Sequence, residues 1–190
     1  MFSLQALLVS TGTVALAEIG DKTQLLALLL AARYRKPWPI ALGILAATLV
    51  NHAVSAWFGA ELSQGLSPAA LRWGVAASFF AVALWTLKPD HLDDDGDRLP
   101  PHGAFVATTV AFFLAEIGDK TQIATVLLAT KYVPLWQVIV GTTIGMLLAN
   151  LPVVWLGHRF ADRLPLKLAR GMAAAVFLAI AAWVAWNGVG

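Results

Sequence analysis

Shifted by 98 residues, the chain lies on itself without a gap. Residues 16–24, Leu-Ala-Glu-Ile-Gly-Asp-Lys-Thr-Gln, recur residue for residue at 114–122. The register holds outside that string. Thr11 pairs with Thr109, Tyr34 with Tyr132, Trp38 with Trp136, Gly43 with Gly141, Trp57 with Trp155, Gly59 with Gly157, Arg72 with Arg170 and Trp85 with Trp183. Each half holds three apolar stretches: Leu4–Ala32, Ile40–Leu62 and Leu71–Leu87 in the first, Ala104–Thr130, Leu135–Phe160 and Leu166–Trp186 in the second. A membrane-spanning helix needs about 20 such residues. The chain therefore reads as an all-α polytopic membrane protein made of a duplicated three-helix unit. An odd number of spans per unit makes the second copy enter the membrane from the opposite face. The expectation is six transmembrane helices in an inverted 3+3 repeat, an arrangement common among secondary transporters. The units are residues 1–88 and 103–190, joined by an acidic linker, 89–102.

Composition supports lipid as the solvent. Of the 190 residues 59% are hydrophobic and 13% charged, against about 45–50% and about 25% in soluble domains. Eight Trp suit the membrane–water interface. The formal net charge of +2 gives no basic patch, so nucleic acid is not an expected partner. The chain has no Cys, which excludes disulfides, thiolate catalysis and soft-metal thiolate sites. Leu4–Ala17 superficially looks like a signal peptide, but Met1–Gln5 carries no Lys or Arg. Cleavage after Ala17 would also cut the first motif, so the segment reads as mature protein. The linker, with Asp90, Asp93, Asp94, Asp95 and Asp97 among Pro89, Pro100 and Pro101, reads as a solvated charge run. A cation-attracting antechamber is the bolder alternative; the EF-hand ligand pattern is absent.

Basic residues orient the chain. Arg33, Arg35, Lys36, Lys88, Arg98, Arg159, Arg163, Lys167 and Arg170 fall on one side, and Arg72 and Lys131 on the other. The positive-inside rule puts the first side, with the linker, in the cytoplasm and both termini outside.

Glu18, Asp21 and Lys22, and their copies Glu116, Asp119 and Lys120, sit inside the first and fourth stretches. Each ionisable group at membrane depth costs roughly 2.5–3.5 kcal/mol on insertion scales, so six of them require a reason. On a continuous helix, Glu and Asp at i,i+3 share one face, which Thr11 and Thr109 extend. Gly20 and Gly118 let that backbone approach closely or unwind. Brought together, the motifs supply four carboxylates with Thr23, Gln24, Thr121 and Gln122 beside them. This is an all-oxygen set suited to Mg²⁺, Ca²⁺ or Mn²⁺. Four carboxylates and two lysines sum to −2, the charge one divalent cation neutralises. The plainer reading is structural: Glu18 and Lys22 at i,i+4 form an intrahelical ion pair that glues helices. Asn51, His52 and Asn150 offer either hydrogen bonds between helices or support to a ligand set. His158 reads as interfacial, and Trp38, Trp57, Trp136 and Trp155 as packing or anchoring residues.

The doubled Glu-x-Gly-Asp-Lys-Thr string at 18–23 and 116–121 resembles the GDT family of cation/proton exchangers, and the resemblance covers essentially the whole chain. It implies a membrane transporter that exchanges Mn²⁺ or Ca²⁺ for protons, with no other cofactor. Glu18, Asp21, Glu116 and Asp119 would be the cation-binding acids, and Lys22, Thr23, Lys120 and Thr121 their partners. The absence of an extended leader resembles bacterial members, implying Mn²⁺ export across the inner membrane; the residues alone leave Mn²⁺ and Ca²⁺ open. A divalent cation channel and, more remotely, an intramembrane aspartyl enzyme are the alternatives. Against the enzyme, each Asp is followed by a Lys that opposes the shared proton a carboxylate dyad needs.

Overall fold

The computed structural model describes residues 4–88, 103–156 and 166–188. The acidic linker, His158, Arg98, Arg159 and Arg163 lie outside the described residues. Within them the chain is all helix: α1 (Leu4–Glu18), α2 (Lys22–Tyr34), α3 (Pro37–Gly65), α4 (Pro68–Thr86), α5 (Ala104–Glu116), α6 (Lys120–Lys131), α7 (Leu135–Leu156) and α8 (Leu166–Asn187). Helices α3, α4 and α7 are each long and apolar enough to cross a membrane unaided; α1, α5 and the 171–187 part of α8 are shorter and apolar.

The first and fourth apolar stretches are each split into two helices at the motif. Elsewhere local chemistry sets the helix ends. Ser67 caps α4 by accepting the Ala70 N–H (3.3 Å), and Pro68 occupies the first turn, where a missing N–H costs nothing. The opposite end of α8 is closed by Arg72, which donates from Nε to the Ala185 carbonyl (2.8 Å).

Helix packing relies on small residues, as expected where lipid removes the hydrophobic drive between helices. Gly141 and Gly145 let α7 lie against α1: a Cβ at Gly145 would be 2.6 Å from the Thr11 carbonyl oxygen, and one at Gly141 2.8 Å from that of Leu7. Gly59 does the same between α3 and α6, where a Cβ would collide with the Val126 carbonyl. Helices α4 and α8 pair with each other and lie against α6 and α1, whereas α2 and α5 pack on α7, on α3 and on each other. Phe79 of α4 and Phe177 of α8 are repeat-equivalent positions. Their rings stack with centroids 6.0 Å apart, and both are buried.

Trp38, at the start of α3, meets Trp155, at the end of α7, edge to face at 5.4 Å, so the two helices run antiparallel. Trp57 lies toward the other end of α3 and Trp136 at the other end of α7, and all four are substantially exposed. Within each helix the two Trp lie nineteen residues apart, roughly 28 Å along the axis. That matches a hydrocarbon core of about 30 Å and supports the anchoring role.

Replacing Gly59 or Gly145 by Ala should destabilise the protein by about 1–3 kcal/mol, because a backbone carbonyl cannot rotate away as a side chain can. Gly74→Ala, with nothing near its Cβ position, should be neutral or slightly stabilising. Thermal unfolding of the three variants in detergent distinguishes them, and equal midpoints would refute the close-approach account.

Candidate metal site

Two helix breaks build the site. Helix α1 stops at Glu18 and α2 starts at Lys22; α5 stops at Glu116 and α6 starts at Lys120. At each break the glycine adopts a left-handed conformation, with φ of 82° at Gly20 and 74° at Gly118, which other residues take up only with strain. A glutamine side chain braces each turn. Gln24 Oε1 accepts the Gly20 N–H at 2.8 Å, and Gln122 Oε1 accepts the Gly118 N–H at 2.7 Å. The aspartates become N-caps: Asp21 accepts from the Thr23 N–H (3.3 Å) and Asp119 from the Thr121 N–H (3.4 Å).

This geometry corrects the reading of Glu and Asp on one face of a continuous helix. Each Glu ends one helix and each Asp caps the next. Thr11 and Thr109 do not extend the site: Thr11 donates to the Gly141 carbonyl (3.0 Å) and Thr109 to the Phe105 carbonyl (2.9 Å). The helix ends themselves are useful, because half-helix termini pointing at one region present carbonyl and N–H dipoles to an ion.

The lysines pair across the breaks. Lys22 Nζ lies 3.2 Å from Asp119 Oδ1, and Lys120 Nζ contacts Asp21 Oδ1. These contacts are reciprocal under the 98-residue shift. They replace the intrahelical Glu18–Lys22 pairing that the spacing suggested, because unwinding at Gly20 removes the i,i+4 geometry. The two pairs differ in environment: the Lys120 side chain is 2% exposed and that of Lys22 27%.

Three of the four acids come together. Glu18, Asp21 and Asp119 are buried, and one oxygen from each lies within 4.8 Å of the others. Glu18 Oε2 accepts from Thr23 Oγ1, while Glu18 Oε1 is buried with no hydrogen-bond partner among the described residues. A buried carboxylate oxygen without a donor is costly, and a bound cation would satisfy it. Carboxylate oxygens at this mutual distance suit a hard divalent ion.

Glu116 is held elsewhere, against α3. Its Oε1 accepts from Thr48 Oγ1 (2.9 Å) and its Oε2 from Asn51 Nδ2 (3.3 Å). His52 Nε2 lies 3.9 Å from Oε2, beyond hydrogen-bond range. Asn51 also donates to the Phe113 carbonyl (3.1 Å), a bond between helices as expected. Asn150 instead bonds within its own helix, to the Met146 carbonyl (3.1 Å) and Sδ (3.0 Å). Sequence reasoning missed Thr48. Its signal was available: Thr48, Asn51, His52 and Ser55 form a polar stripe at i, i+3, i+4 and i+7 on an otherwise apolar helix.

The family described as divalent cation/proton antiporter GDT1 matches residues 6–94 and 104–190. The chain belongs to that family. It is thus an integral membrane transporter rather than an enzyme. It is 55% identical to a candidate manganese exporter of Vibrio cholerae serotype O1, over 94% of this chain and 89% of that protein. It is 26% identical to a GDT1-like protein of Synechocystis, over 90% and 93% of the two chains. No solved structure matches it significantly.

Removing Lys120 leaves Asp21 buried without its cation, so Lys120→Met should cost about 3–5 kcal/mol. Lys22→Met should cost less, since that side chain is 27% exposed. Unfolding in detergent compares the two, and equal losses would contradict the difference in burial.

Proposed function

We propose that the chain exports Mn²⁺ from a bacterial cytoplasm in exchange for protons, through six transmembrane helices arranged as an inverted 3+3 repeat. The repeats are residues 1–88 and 103–190, with the 89–102 linker cytoplasmic and both termini outside. The observation that carries the reading is the buried group of Glu18, Asp21 and Asp119, drawn from both motifs and set at two helix breaks. The relative named for manganese export, similar over nearly its whole length, favours Mn²⁺ over Ca²⁺. The oxygen ligands accommodate both.

The cation sits among Glu18, Asp21 and Asp119, and Glu116 completes the set during the cycle. Thr23, Gln24, Thr121, Gln122, Gly20 and Gly118 shape the two breaks. Lys22 and Lys120 act as internal counter-ions that the metal must displace from the aspartates. Protons and metal compete for the same carboxylates, which couples their fluxes. Alternating access is supported by the seating of the α4–α8 pair. In the proposed topology α1 and α6 are the outer halves of the broken spans, and the pair rests on them. The inner halves, α2 and α5, pack on α3 and α7, as α1 and α6 also do, so the pair bears mainly on the outer halves.

In proteoliposomes, Glu18→Gln and Glu116→Gln should each abolish Mn²⁺ flux driven by a pH gradient, and the double variant should be little worse than either single one. Near-normal flux from both folded single variants would make the carboxylates structural. A flux that ignores the pH gradient and does not saturate would favour the channel alternative. Because protonation removes ligands, Mn²⁺ affinity measured by calorimetry should weaken as pH falls from about 8 to about 5; a flat profile would contradict proton competition. Lys22→Ala should tighten Mn²⁺ binding and slow turnover, by removing the competing charge.

A further inference from the structure

The two motifs are identical in sequence, yet their glutamates have different surroundings, and the difference is written in α3 and α7. Glu116 receives one hydrogen bond from Thr48 and one from Asn51, both on α3. The repeat-equivalent positions on α7 are Met146 and Ala149. Neither side chain can donate a hydrogen bond. The equivalent of His52 is Asn150, whose amide is turned back to its own helix. Glu18 consequently takes its hydrogen bond from Thr23 of its own motif and keeps its other oxygen without a partner among the described residues. It stands with Asp21 and Asp119, whereas Glu116 does not belong to that group.

We propose that Thr48 and Asn51 are positioning residues that hold Glu116 away from the cation while it loads, so that the ion first meets three carboxylates and Glu116 joins only as the carrier turns over. This rests on the transporter reading above. The charges support it. With every acid ionised, three carboxylates against two lysines leave −1, which attracts a divalent ion without neutralising it fully. Adding Glu116 makes −2 and closes the balance. A site that recruited all four acids at once would bind more tightly and release more slowly. Hydrogen bonds from Thr48 and Asn51 to an ionised carboxylate are of the stronger kind, and they compete with the ion for Glu116. The second half of the chain offers Glu18 no such competitor, so one glutamate stays at the ion and the other is held in reserve.

Thr48→Val keeps the shape of the side chain and removes its hydroxyl; Asn51→Ala removes the second donor. Each should lower the KM for Mn²⁺ by about tenfold, the scale of one hydrogen bond to a charged group, and lower the maximal rate with it. Thr48→Ser keeps the donor and should restore wild-type kinetics, which a purely steric role for Thr48 would not predict. The assay is Mn²⁺ uptake into proteoliposomes across a range of concentrations, with size exclusion confirming folded protein. An unchanged KM with a reduced rate would show that the two residues only stabilise the fold. A raised KM would show that they present Glu116 to the loading ion. Either result overturns the proposal. Failure of the wild-type protein to move Mn²⁺ at all would instead overturn the manganese reading.

Discussion

Two lysines reach across two helix breaks to the aspartates of the opposite motif, and most of the architecture follows from that exchange. Isolated carboxylates at the centre of a bilayer are costly, and pairing with a lysine on the same helix would satisfy them without joining the halves. Pairing Lys22 with Asp119 and Lys120 with Asp21 makes the charge balance of each motif depend on the other. The breaks are what permit it. Gly20 and Gly118 turn the chain so that each aspartate caps the following helix, and Gln24 and Gln122 hold the turned backbone. Gln24 does more: its Nε2 donates to the Ala149 carbonyl (2.8 Å), tying the first break to α7.

The rest of the helix packing keeps this centre in place. Carbonyls of α1 and α6 approach glycines of α7 and α3 closely enough to exclude a methyl group. The stacked Phe79 and Phe177 fix α4 against α8. Apolar contact alone distinguishes poorly between neighbours in lipid. Close backbone approach and buried polar bonds, such as Asn51 to the Phe113 carbonyl, supply the missing specificity.

Much of this was legible in the sequence. The duplication, the apolar stretches and the charged strings stand out by eye, and the positions of α1 to α8 agree with them to within a few residues. Glycine between Glu and Asp signalled an unwound segment, though the face-sharing argument still treated the helix as continuous. Helical spacing reports neighbours along one helix, so it favoured Glu18 with Lys22. Nothing local to either motif announced that the lysines would cross. For the same reason Glu18 and Glu116 looked equivalent: their strings are identical, and the distinction lies some 65 residues away, at Thr48 and Asn51. The polar stripe on α3 was readable, but its target was not.

The reciprocal lysine–aspartate contacts have the form of an isologous interface, in which patch i meets j and j meets i, as two identical subunits make when they pair. Here both patches lie on one polypeptide. In a pair of separate, identical subunits every substitution would appear twice, and the two faces would have to stay alike. Joined in one chain, the halves are free to change independently. Thr48 and Met146 show the result: the string that both halves need is held in common, while the helices around it have diverged. Direction in this molecule can then come from differences between sister positions, without any change to the motif they share.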